Sequence, residues 1–251
     1  MGAADARLLI AATPDEGPAM ALDKSALRDA ATLILVRDAG GPTPQVLMGQ
    51  RGRNAAFMPG KFVFPGGAVD PTDTGIPMAR AINGLCRARL TQAAGRAEPL
   101  ALVAAAIREL WEETGLILGQ PHRWPGTPPE NWRSFAETGH LPAPTGMRFV
   151  FRAITPPGRP RRFDARFFLA DAARIAGDPD DFSRASDELS HLQWIPLAKA
   201  RSFDLPFITE VVLAEVAARL PALDAPPSVP FFQNNDEESL FRRLGRAGAP
   251  L

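Results

Sequence analysis

Three carboxylates, Glu109, Glu112 and Glu113, stand at positions i, i+3 and i+4 of the stretch from Ala104 to Leu116. On an α-helix those positions share one face, a turn apart. Like charges that close repel, so a helix carrying them needs a cation beside it. Arg108 can pair with Glu112 four residues on, but one guanidinium does not neutralise three carboxylates. Oxygen donors on a rigid helix suit a hard divalent cation, Mg²⁺ or Mn²⁺. Taken alone, such a pattern is more often a solvated acidic face. A second stretch changes the balance. Phe62-Val63-Phe64-Pro65-Gly66-Gly67-Ala68-Val69-Asp70 reads as a buried strand running into a tight glycine turn, which lets backbone approach a ligand closely.

Together the two stretches resemble the Nudix hydrolase signature: Gly, five residues, Glu, seven residues, then Arg-Glu-apolar-x-Glu-Glu-x-Gly-apolar. The second half fits at every fixed position, with Arg108, Glu109, Leu110, Glu112, Glu113, Gly115 and Leu116. The first half departs from the pattern. Arg108 lies 41 residues after Gly67 (108 − 67), where the signature has 14. The box is thus split by an insertion of about 27 residues (41 − 14). Counted back from Arg108, the first signature Glu falls on Leu100, and Glu98 is the nearest candidate for it.

The resemblance implies a metal-dependent hydrolase of a nucleoside diphosphate linked to another moiety. It implies Glu109, Glu112, Glu113 and the carbonyl of Gly67 as holders of Mg²⁺ or Mn²⁺, with Arg108 orienting the carboxylates. Two residues compete as general base: Glu109, and Glu188 in the acidic stretch before the Trp194 strand. Gln50-Arg51-Gly52-Arg53 and Met58 through Asp70 are similar to the coenzyme A diphosphatase subgroup, with Gly52 where that subgroup has Ser. Arg51, Arg53 and Lys61, with Gly66, are therefore candidate substrate-binding residues, the cations serving the ribose phosphate of CoA or acyl-CoA. The products would be 3′,5′-ADP and (acyl-)4′-phosphopantetheine. Two alternatives stay open: the same chemistry on ADP-ribose or dinucleotides, and a Nudix-fold binding or regulatory module without catalysis.

The elements that must position these residues can be read from periodicity. Ala31–Arg37 and Gln45–Arg51 are β-branched apolar runs around Asp-Ala-Gly-Gly-Pro, hence a hairpin. Ala79–Ala94 has helix formers with an apolar stripe, and Gly95 would end it. Pro99 and Gly115 frame the acidic helix. Residues 120–145 are proline-rich and predict a lid-like loop with a short helix over 129–137. Strands follow at Phe149–Ala153, Arg166–Ala170 and Leu192–Ile195, then a C-terminal helix over 206–220. The expected fold is α/β, a Nudix-type α/β/α sandwich with a mixed sheet, a helical insertion within the Nudix box and that C-terminal helix. The expected organisation is a lead-in over 1–29, the Nudix hydrolase domain over 30–220 with residues 71–97 packed outside the catalytic core, and an irregular tail over 221–251.

Composition bounds the partners. Lys+Arg and Asp+Glu both number 28 in 251 residues, so no net charge draws the chain to nucleic acid or to an anionic membrane. The partner expected is a nucleotide-derived diphosphate substrate, with no nucleic acid and no membrane; a homodimer is compatible. The single Cys86 excludes an intrachain disulfide and a cysteine-rich metal site, and with no signal peptide read at the start it predicts a cytoplasmic protein.

Overall fold

A computed structural model describes residues 26–55, 57–92, 97–234 and 239–245. In chain order the strands and helices are β1 (Leu27–Arg37), β2 (Gln45–Arg51), β3 (Phe62–Val63), β4 (Gly66–Ala68), α1 (Gly84–Leu90), α2 (Pro99–Thr114) and β5 (Gly119–Pro121). They continue with α3 (Arg133–Ala136), β6 (His140–Pro142), β7 (Arg148–Ile154), β8 (Arg162–Asp171), β9 (Leu189–Pro196), α4 (Phe207–Ala217), β10 (Val229–Asn234) and β11 (Ser239–Leu244).

Nine strands form one mixed sheet in the order β11-β10-β7-β8-β1-β2-β3, with β4 on β1 and β9 on β2. The pairs β1–β8 and β10–β7 are parallel, whereas β7–β8 and β1–β2 are antiparallel. Along β1, Leu33 and Leu35 enter the core under α2, while Ile34 and Val36 enter the core under α4. A strand buried on both faces must be apolar without interruption, which is why Leu33-Ile34-Leu35-Val36 does not alternate. Helices on both faces of a mixed sheet make the α/β sandwich that the patterning implied.

α2 is framed as expected. Pro99 opens it, and Gly115 closes it in the left-handed region at φ 74°, with its amide donating to the Trp111 carbonyl. α1 is shorter than expected. It begins only after Asn83, whose side chain accepts from the Leu85 and Cys86 amides, because upstream the Ala79 amide is tied to the Pro142 carbonyl instead. The glycine expected to end it, Gly95, lies outside the described residues, as do residues 1–25 of the expected lead-in.

Two expectations are corrected. The segment over 221–251 is not irregular throughout, since β10 and β11 extend the sheet beyond β7. Its prolines misled because Pro226 and Pro227 precede β10, while Pro230 sits within it and still stands in register with Arg243, and Val229 and Phe231 are buried. The residues inserted in the box do not lie outside the core either. Ile76, Ile82, Cys86 and Leu90 pack with α2, and Arg89, 1% exposed, donates to the carbonyls of Pro226, Pro227 and Gly245. The loop over 120–145 carries β5, α3 and β6, and buries Trp132 and Phe135 in the α2 core.

Candidate active site

α2 presents its carboxylates to the diglycine turn. The Gly66 amide donates to Glu113 Oε2 at 2.8 Å, and a Cβ on Gly67 would stand 2.5 Å from the Glu109 carboxylate. A Cβ on Gly66 would stand 2.6 Å from the Ala31 carbonyl oxygen. Glycine is required at both positions because strand, turn and helix meet with no room between them.

Arg108, 5% exposed, organises the cluster. Its Nε and Nη2 grip the Asp73 carboxylate at 2.9 and 3.0 Å, and Nη2 also donates to the Ala68 carbonyl. Its Nη1 bridges Glu109 and Glu112, both at 2.9 Å. Burial works against its charge, yet Asp73, Glu109 and Glu112 hold its pKa above the ordinary arginine value. Glu113 receives none of these bonds, and its Oε1 is buried with no hydrogen-bond partner among the described residues.

The carboxylates are correspondingly hard to ionise. Burial raises Glu109 to about 7, helped by Glu112 and Glu188 and opposed by Arg108. Burial also raises Glu112, and it lifts Glu113 well above the usual range with Glu109 adding to the effect. Among the described residues no three His, Cys, Asp or Glu side chains already converge as a cation cage. The donor set nonetheless fits a hard divalent cation: its donors are oxygens, negative charge is in excess, and the Glu113 Oε1 atom lacks a partner.

Asp73 is the residue that the sequence reading missed. Its Oδ1 also accepts from Trp132 Nε1 at 3.1 Å, and its Oδ2 from the Asp70 amide at 2.8 Å. A signal for it existed. Counted forward from Gly67, five residues lead directly to Asp73, the first acidic position of the signature. Counting back across the insertion pointed to Glu98, which is exposed at the N-terminus of α2, at the opposite end of the helix from Glu113. The insertion therefore follows Asp73 rather than preceding it.

The other candidates are dispersed. Glu188 is brought to the cluster: its charge acts on Glu109, Glu112 and Glu113, and it pairs with Arg51 at 3.1 Å. Arg51 also acts on Glu113 and leaves its Nε buried without a partner. Arg53 is exposed on the loop after β2, and Lys61 is paired with Asp204 instead of joining the arginines. Gly66 has its amide committed to Glu113, so it is not free to bind substrate through that group.

The family profile described as NUDIX domain matches residues 26–216. A Caenorhabditis elegans protein named "Putative nudix hydrolase 7" is 29% identical over 183 residues, which cover 68% of this chain and 52% of that relative. The chain thus spans about half the length of that curated relative. A crystal structure of a NUDIX hydrolase from Alicyclobacillus acidocaldarius is 26% identical, covers 77% of this chain and 92% of its own, and superposes with a TM-score of 0.57. The profile takes in strands β1 to β9, the diglycine turn and the acidic helix together, and by that match the chain belongs to the NUDIX family.

Proposed function

We propose that the chain is a divalent-cation-dependent hydrolase that cleaves the pyrophosphate bond of nucleoside diphosphate derivatives. The observation that carries this reading is the face of α2, where Glu113 leaves a buried oxygen without a partner beside a diglycine turn. Glu112, Glu113, Glu109 and the Gly67 carbonyl would hold the cation, Mg²⁺ or Mn²⁺. When bound, such an ion neutralises phosphate charge and lowers the pKa of coordinated water. Arg108 fixes two of the glutamates by bridging them, and Asp73 fixes Arg108.

Glu188 is the better general base. The Glu109 carboxylate is pressed against Gly67 and bonded to Arg108, whereas Glu188 is 56% exposed and has only one oxygen tied to Arg51. A base must reach the attacking water, and an exposed carboxylate at the edge of the cluster does so with least rearrangement.

CoA or acyl-CoA is the substrate we favour within this class. The support is Arg51 and Arg53 on the strand and loop leading to the turn, with the buried Nε of Arg51 still to be satisfied. Lys61, engaged by Asp204, contributes less to that reading. A panel of CoA, ADP-ribose, NADH and diadenosine polyphosphates, with products resolved by mass and with Mg²⁺, Mn²⁺ or EDTA, tests both levels. Turnover of CoA that stops in EDTA is expected. Cleavage of ADP-ribose without CoA overturns the substrate, and full activity in EDTA overturns the metal-dependent reading.

A further inference from the structure

The insertion that splits the box does more than lengthen a loop. A cavity of about 490 Å³ opens between Arg80 and Asn83 of the insertion, Gln120 of β5, and the turn Thr145-Gly146 that leads to Arg148 at the start of β7. It shares no residue with the acidic helix or the diglycine turn. Among the described residues two guanidinium groups line it, and no carboxylate does.

Its donors are largely unclaimed by protein. Arg80 donates from Nε to Gln120 Oε1 at 3.2 Å, and among the described residues its two Nη groups have no bond. Among the described residues the Arg148 side chain has one bond, from Nη1 to the adjacent Met147 carbonyl at 3.1 Å. The Thr145 hydroxyl is buried and has no partner. A third guanidinium, that of Arg174, is not among the lining residues but packs on the same turn, its Nε 3.3 Å from where a Cβ on Gly146 would be. Two guanidinium groups and a buried hydroxyl, gathered without a counter-ion, leave positive potential and unmet donors in one place. Forked planar donors carried on separate segments of the chain suit the several oxygens of a phosphoryl group. The volume is in the usual range for small-molecule sites and exceeds what one phosphate fills.

We propose that this cavity is an accessory binding site for a phosphoryl group carried on a small molecule, with one wall supplied by the insertion. The site stands independently of the hydrolase reading, because none of its residues serves the acidic cluster. Calorimetric titration of the full chain tests it, in EDTA so that the catalytic carboxylates carry no added cation. The probes are inorganic phosphate, pyrophosphate, AMP and ADP. Saturable binding of at least one probe at one site per chain is expected. Arg80→Ala, a change at an exposed residue that leaves the fold intact, should weaken it several-fold, and Arg80→Ala with Arg148→Ala by ~10-fold or more. AMP or ADP binding more tightly than phosphate or pyrophosphate would identify a nucleotide as the source, and equal affinity the inorganic ion; either supports the site. Absence of binding by every probe to the intact chain overturns the proposal. So does binding that Arg80→Ala leaves unchanged.

Discussion

Arg108 donates all five of its N–H groups, to Asp73, Glu109, Glu112 and the Ala68 carbonyl, so removing any acceptor leaves a buried donor without a partner. Asp73 is as fully used, accepting from Arg108, Trp132 and the Asp70 amide. Asp73→Asn would turn an NH₂ group toward donors that need an acceptor. It should lower kcat by roughly 10- to 100-fold and lower the melting temperature together, because loss of a buried charge-assisted pair costs about 1.5–3 kcal/mol. Steady-state kinetics beside a thermal melt check this, and an unchanged kcat would remove Asp73 from the machinery. Glu112 is different, with 35% of its side chain exposed and no core role. Glu112→Gln should cost ~100-fold or more in kcat while the melting temperature hardly moves, since on the proposed reading it removes the charge of a would-be cation ligand and no packing. A normal rate in the Glu112→Gln variant would show that the cation is held elsewhere.

The seven-residue helix α1 presents two arginines with opposite fates. Arg87 is exposed, whereas Arg89 is buried and bonds three carbonyls on either side of β10 and β11. This tie joins an insertion in the middle of the sequence to the chain on either side of the last strands. Arg87→Ala should leave both kcat and melting temperature near the unmodified values. Arg89→Ala should destabilise the fold by on the order of 3 kcal/mol, as buried carbonyls lose charge-assisted partners. Urea denaturation of the two variants side by side gives the comparison. Equal stability would mean that β10 and β11 are held by their pairing with β7 alone.

At the scale of the whole molecule, the acidic cluster ties stability to pH. The Glu109 pKa is raised from an ordinary 4.5 to about 7, and that of Glu113 is raised well above the ordinary value. A raised carboxyl pKa means that the folded chain binds protons which the unfolded chain has released. Its contribution is fully present below about 4.5 and is lost as pH rises through the folded value. In EDTA the melting temperature should therefore carry a downward component between about pH 4.5 and 7, and Glu109→Gln should flatten it. Adding Mg²⁺ or Mn²⁺ at a pH just above about 7 should restore stability, since a cation that binds only the folded state stabilises by mass action. Melts of both proteins across that range, with and without cation, decide the matter. An identical slope in Glu109→Gln would place the pH dependence in other groups.

Local chemistry was legible in the residues themselves. The spacing of Glu109, Glu112 and Glu113 puts them on one helical face in any fold, and Pro99 and Gly115 bound that helix by backbone geometry alone. The strand β1 was equally plain from its β-branched apolar run, although its burial on both faces shows only in the sheet. What needed the tertiary structure was every decision made by contacts distant in sequence. Asp73 reaches Arg108 across 35 positions, and Trp132 reaches Asp73 across 59. Arg51 meets Glu188 across 137, and Lys61 is drawn to Asp204 across 143, away from the arginines beside which it stands in sequence. Strands β10 and β11 were hidden for the same reason. They pair through β7 and are bonded at their ends by Arg89, and neither partner leaves a periodic mark in the segment itself.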